Sequence, residues 1–137
     1  IRYTAGPDSV RKISRFMLEK VGDLNWHYHA GIRTLPFQVA VKYNIPLIIW
    51  GEHGFGELTG VVTLEDFVEF TKWTRKEHDM RGYEPHDLIG KGGITQYDIA
   101  PYIYPSEEEI ARVDVRGIFL SNHVYWNGIC FYFMWIK

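Results

Sequence analysis

Two short polar strings are the places where this sequence could do chemistry. The first is Gly51-Glu52-His53, which follows the apolar, β-branched run Asn44-Ile45-Pro46-Leu47-Ile48-Ile49-Trp50. An apolar run on both faces, bounded by turn formers, reads as a strand buried between two helical layers of a parallel sheet. Ligands of open α/β sheets bind just outside the carboxyl ends of such strands. Glu52 and His53 are therefore candidates for a general base, a carbonyl polariser or a ribose ligand. The bland alternative is a solvated turn.

The second string is Trp73-Thr74-Arg75-Lys76-Glu77-His78-Asp79-Met80-Arg81-Gly82-Tyr83. Arg75, Lys76 and Arg81 gather three cations at a helix end, which suits a phosphate or carboxylate clamp. Arg75 and Asp79 are also spaced for an i, i+4 ion pair on a plain charged helix face. A further pair, His27 and His29, lies in Asn25-Trp26-His27-Tyr28-His29-Ala30-Gly31. Two histidines at i, i+2 in a loop can reach one metal, with Asp23 or His53 adding a ligand. No third ligand is fixed by spacing, so no metal site is assigned; such histidines more often satisfy loop backbone or touch a substrate, and His29 is kept as a candidate site residue.

The elements that must position these residues follow from periodicity and turn chemistry. Ile1-Arg2-Tyr3-Thr4 reads as the end of a strand and Ala5-Gly6-Pro7 as a turn. Asp8 or Ser9 can cap a helix to about Val21, with Val10, Ile13, Phe16, Met17 and Leu18 on its apolar face and Gly22 ending it. Asp23 to Gly31 reads as a polar, aromatic loop, and Pro36 to Tyr43 as a second helix with Pro in its first turn. Gly51 to Gly60 should be a loop. Thr63-Leu64-Glu65-Asp66 resembles a capping box and opens a long helix to about Met80, with Leu64, Phe67, Val68 and Thr71 on one face. Gly90 to Gly93 is another loop, Thr95 caps a short helix through Ala100, and Ser106 with Glu109 forms a capping box. Val115 to Leu120 is a further strand ending in Ser121-Asn122-His123, where Asn122 joins the candidate substrate contacts. Strands alternating with helices give an α/β fold in which Ile1–Thr4, Ile45–Trp50 and Val115–Leu120 are parallel.

Composition bounds the function classes. The 137 residues make one domain or part of one, and a net charge of −2 supplies no field for nucleic acid. The single cysteine, Cys130, excludes an internal disulfide and a multi-cysteine zinc site and fits a reducing cytoplasm. The longest apolar run, Ile129 to Ile136, is too short to span a membrane. The start at Ile1, without an initiator Met, suggests a chain cut from something longer. Neither G-x-x-x-x-G-K-[ST] nor G-x-S-x-G occurs, and Gly51-Glu52-His53-Gly54-Phe55-Gly56 does not match G-x-G-x-x-G.

Longer strings carry a resemblance. His29-Ala30-Gly31-Ile32, Val39 through Glu52, Arg75 through Tyr83, Tyr102-Ile103-Tyr104-Pro105-Ser106 and Val115-Arg116-Gly117-Ile118 are the segments involved. In them the chain resembles the N-acetyl sugar amidotransferases of bacterial surface-polysaccharide (lipopolysaccharide, flagellin-glycan) and pseudaminic-acid pathways, in the PP-loop ATP pyrophosphatase superfamily. The resemblance implies that residues 1–126 are the C-terminal part of an α/β PP-loop domain, of adenine-nucleotide alpha-hydrolase type. It also implies a helical insertion over 63–113 and a divergent apolar tail over 127–137. It implies ATP with Mg, an acetamido-sugar substrate, free or nucleotide-linked, and ammonia from a glutaminase partner. The site residues would be Glu52, His53 and His29, with Arg75, Lys76, Arg81 and Asn122 as substrate and phosphate contacts. The family's Ser-Gly-Gly-x-Asp-Ser loop belongs ahead of Ile1, so this piece alone is expected to bind ATP weakly. Tyr28 stands where a cysteine is expected. Rival readings are another PP-loop reaction, amidation or tRNA thiolation, and a non-catalytic remnant that binds a glutaminase or a sugar nucleotide.

Overall fold

The computed structural model describes residues 2–51, 69, 72–120 and 123. Helix α1 covers Pro7–Val21 and ends at Gly22, whose φ of 72° is the left-handed conformation that glycine adopts without cost. Its N-cap is Gly6, not Asp8 or Ser9. Pro7 takes the first helical position, where its fixed φ fits and its missing N–H is not needed. Ile13, Phe16 and Met17 are buried as the periodicity requires, whereas Leu18 is exposed.

Helix α2 is much longer than expected, Trp26–Tyr43, and absorbs most of the segment read as a loop. Its buried residues Trp26, Ala30, Arg33, Thr34, Phe37, Ala40 and Val41 form one helical stripe. Asp23 prepares the start by accepting the Asn25 N–H at 2.7 Å. Pro36 lies inside the helix rather than in its first turn. The helix stops at Asn44, with φ of 54°.

Strands β1, Leu47–Trp50, and β2, Arg116–Phe119, pair in parallel, with Leu47 opposite Arg116 and Trp50 opposite Phe119. The fold is thus mixed helix and strand around a small parallel sheet. Two expectations fail here. Arg2–Thr4 is not strand, Ile1 being outside the described residues; Tyr3 and Ala5 instead line a slot against α2 with His27 and Gly31. β1 is not buried on both faces either: Ile48 and Trp50 face the helices, while Leu47 and Ile49 are 46% and 55% exposed.

The expected helix from Thr63 lies largely outside the described residues. Its end is present as α3, Lys72–Thr74, running into a π turn over Arg75–Asp79. The π geometry shows in the Met80 N–H donating to the Arg75 carbonyl at 2.9 Å. Gly90 to Gly93 forms turns, α4 covers Gln96–Ile99 behind Thr95, and α5 covers Glu107–Val113 behind the Ser106–Glu109 capping box.

Two apolar clusters result. One gathers α1, the start of α2, Met80, Leu88, Ile94, Ile99 and Tyr102; the other joins Phe37, Ala40 and Val41 to Trp50, Val115 and Phe119. α2 is a wall of both. Polar ties hold it to the turns: the Trp26 indole donates to the Met80 carbonyl at 2.8 Å, and Gln38 donates to the Ile103 carbonyl at 2.7 Å.

Gly117 fixes how closely the sheet meets α2. A Cβ there would lie 2.6 Å from Trp50 Cζ3 and 3.0 Å from Phe37 Cζ. Gly117→Ala should therefore destabilise the fold by about 1–3 kcal/mol, the usual cost of overpacking, measured by urea unfolding. An unchanged midpoint would mean that the rings do not pack there.

Asp98 ties α4 to α1. It accepts from Ser9 Oγ at 2.5 Å, the Thr95 N–H and hydroxyl at 2.8 Å, and Lys12 Nζ at 3.1 Å. The Ser9 hydroxyl first, and the Thr95 donors next, hold its carboxyl well below the usual carboxylate range. Its stabilisation is thus complete above the unfolded-state value near about pH 4 and is lost as pH falls through the folded value. Asp98→Asn should lower the urea midpoint most at neutral pH, the gap from wild type narrowing in acid. An equal gap at all pH values would contradict this.

Candidate functional site

Because β1 and β2 are parallel, their carboxyl ends emerge on one edge of the sheet. The last residues, Trp50 and Phe119, stack with ring centroids 5.6 Å apart. Against them lies the Arg33 guanidinium, its Cζ 5.4 Å from the Trp50 ring and 5.1 Å from the Phe119 ring. Its Nε donates to Asp79 Oδ1 at 3.2 Å, and both residues are more than nine-tenths buried.

Asp79 is the most chemically unusual group in this cluster. Burial pushes its carboxyl above the ordinary value, opposed by Arg33 and, more weakly, by His29 and His78. A carboxyl so placed can retain a proton at a pH where a solvated aspartate has lost it. His78 is buried beside it and packs edge-on against Trp73 at 4.9 Å, and its Nε2 finds no hydrogen-bond partner among the described residues.

The outer rim is held by Asp23. Its Oδ2 lies 3.5 Å from His29 Nδ1 and 3.3 Å from Arg81 Nε, and Arg81 also donates to the His78 carbonyl at 2.9 Å. The cluster therefore runs from half-buried His29 and exposed Arg81 inward to buried Asp79 and Arg33. It offers a carboxyl whose burial raises its pKa, imidazoles and fixed positive charge within one patch near the strand ends. Such sets suit acid–base work on a substrate that develops negative charge.

The candidate residues divide between two places. His29 and Arg81 belong to this cluster. Arg75 and Lys76 line a separate groove of about 650 Å³ on the other side of the π turn. The three cations do not converge as a clamp: Arg75 is buried, forms a two-pronged pair with Glu84 at 3.0 Å, and stacks over Tyr104 at 4.3 Å. Nor do Arg75 and Asp79 pair with each other. The π turn departs from the α-helical spacing that would stack i and i+4, so Arg75 reaches Glu84 and Asp79 reaches Arg33. Glu52, His53 and Asn122 lie outside the described residues.

The paired-histidine reading also changes. His27 and His29 are on α2, where i and i+2 point apart; His27 Nδ1 meets Ser14 Oγ at 3.0 Å while His29 turns to Asp23. Burial and the neighbouring His29 lower the His27 pKa. No group of three potential metal ligands occurs among the described residues. None of the described helices is long and apolar enough to cross a membrane.

Sequence reasoning missed Arg33, His78 and Asp79 as members of one site. His29, Arg33 and Phe37 recur at i, i+4 and i+8, a helical signal hidden by assigning Asp23 to Gly31 to a loop. No protein-family model matches the chain, and no curated protein matches it closely enough to indicate a family.

Arg33 and Asp79 neutralise each other in a dry setting, so removing one leaves a buried charge. Arg33→Met should cost about 3–5 kcal/mol in urea unfolding, and Asp79→Asn added to it should recover part of that loss. Simple additivity of the two substitutions would contradict the pairing.

Proposed function

We propose that this chain is the C-terminal part of an ATP-dependent N-acetyl sugar amidotransferase, with the strand-edge cluster of His29, Asp79, Arg33 and Arg81 serving the reacting acetamido group. What supports the reading is the Arg33–Asp79 pair, carried on α2 and the π turn, packed against the Trp50 and Phe119 rings at the carboxyl ends of the parallel β1–β2 pair. The resemblance of the strings around Trp50 and Arg75 supplies the reaction class.

In that reaction the acetamido oxygen attacks the α-phosphorus of ATP and pyrophosphate leaves. Ammonia then adds to the activated carbon, AMP departs carrying the former amide oxygen, and loss of a proton leaves the acetamidino group. Attack on phosphorus makes the acetamido group cationic or requires its N–H proton to be taken up, which suits a buried carboxylate or imidazole. Arg33 and Arg81 would balance charge on the departing groups. The PP-loop, Mg and the glutaminase partner belong to the segment and subunit that this reading places outside the chain.

The test is pyrophosphate release by this chain joined to the segment encoded ahead of it, given ATP, ammonium and a panel of nucleotide-linked acetamido sugars. Release should depend on both sugar and ammonium, with replacement of oxygen by NH confirmed by mass spectrometry. Glu52→Gln and His29→Gln should each lower turnover by at least about tenfold without unfolding, the scale of a lost acid–base contact. Absence of sugar-dependent release, or wild-type turnover in both variants, would overturn the proposal.

A further inference from the structure

The slot where Tyr3 and Ala5 meet α2 is closed on its other side by Pro101 and Tyr102 and encloses about 300 Å³. That is the lower end of the size range of small-molecule sites. Its walls are mostly rings, those of Tyr3, Tyr28, Pro36, Pro101 and Tyr102. The acetamidino chemistry uses none of them.

Two residues of the slot are ones that a helix accepts only at a cost. Gly31 lies in the interior of α2, where glycine is less stable than alanine because it gives up more freedom on folding. Packing does not demand it: an added Cβ would meet nothing nearer than Tyr102 Cε1 at 3.5 Å, an ordinary contact. What the missing side chain leaves is floor space in the slot. Pro36 also lies inside the helix and lines the slot with Ile32. It has no N–H, so the Ile32 carbonyl loses the donor that a regular helix supplies from four residues on. A backbone acceptor is thereby left between two lining side chains on one face of α2.

We infer that the slot binds a small uncharged aromatic compound bearing one N–H or O–H donor, its ring between the tyrosine and proline rings and its donor toward the Ile32 carbonyl. Ring walls favour a flat ring, through edge and offset contacts, over a flexible chain. Charge sets the rest of the chemistry. Among the described residues no Asp, Glu, Lys or Arg lines the slot. Burial first, and the neighbouring His29 next, lower the pKa of its one histidine, His27, which is therefore uncharged at neutral pH. A charged ligand would lose its water here and meet no counter-charge. No lining residue belongs to the strand-edge cluster, so this site stands or falls apart from the amidotransferase reading.

The experiment is an NMR titration of this chain at neutral pH with indole, N-methylindole, indole carboxylate and cyclohexanol. Indole should shift the Gly31 and Tyr28 amide signals and bind at least about threefold more tightly than N-methylindole, the scale of one hydrogen bond. It should bind at least about tenfold more tightly than the carboxylate, which brings an unmatched charge, and than cyclohexanol, which has a donor but no flat ring. Gly31→Ala should hold or raise the urea midpoint yet weaken indole binding about fivefold or more by filling the floor. Tyr28→Ala, at an exposed position, should leave the fold intact and weaken binding about threefold or more. No indole shift at the slot, equal binding of the four probes, or binding unmoved by both variants would each overturn the assignment. So would a lowered midpoint in Gly31→Ala, because packing rather than the slot would then require the glycine.

Discussion

A guanidinium taken out of water must find a carboxylate or a π face, and Arg33 finds both. Asp79 takes its Nε–H, and the rings of Trp50 and Phe119 lie against its plane. Breaking a buried pair costs far more than forming it yields, so the arrangement acts mainly as a registration device. It fixes the rotation of α2, the position of the π turn and the height of both strand ends together. Trp26, about two turns away on α2, repeats the tie by donating to the Met80 carbonyl at the end of the same turn. The two apolar clusters are thus held in one frame by polar contacts along a single helix.

The π turn is what lets a short string serve two surfaces. In a regular helix Arg75 and Asp79 would stack on one face and neutralise each other. In the π turn Arg75 points to Glu84 and Tyr104, while Asp79 reaches Arg33 on α2. A charged string that resembles a clamp is therefore largely consumed in building the fold. Lys76 is the cation of the three that remains available, and it lies on the groove rather than at the strand edge.

The fold was legible where local chemistry and tertiary packing agree. The Gly22 stop and the Thr95 and Ser106 caps depend on contacts within a few residues and appear where the sequence places them, and β1 and β2, although their pairing is long-range, lie within the apolar runs read as strands. The start of α2 was not legible because Trp26, His27, Tyr28 and His29 look like a loop until Trp26 and Ala30 are seen to be core. Tertiary burial overrides weak helix propensity there. Among the described residues Arg2–Thr4 is not strand for a related reason: the start of the sequence carries no sign of whether a neighbour strand or a helix will receive it. Within the site, His29 was legible as a polar group in an unusual setting. Arg33 and Asp79 were not, since their partnership spans 46 positions and only the folded chain brings it about.

The central claim is that Asp79 is a carboxyl whose burial outweighs its arginine partner, leaving it able to hold a proton at the strand edge. Its most direct measurement is the titration of the Asp79 carboxyl carbon by NMR in the folded chain. The account predicts a midpoint above the ordinary aspartate value of 3.8, rising further when Arg33 is replaced by Met in any variant that stays folded. A midpoint at or below the ordinary value would contradict it, and would make Asp79 a permanently charged strut for Arg33.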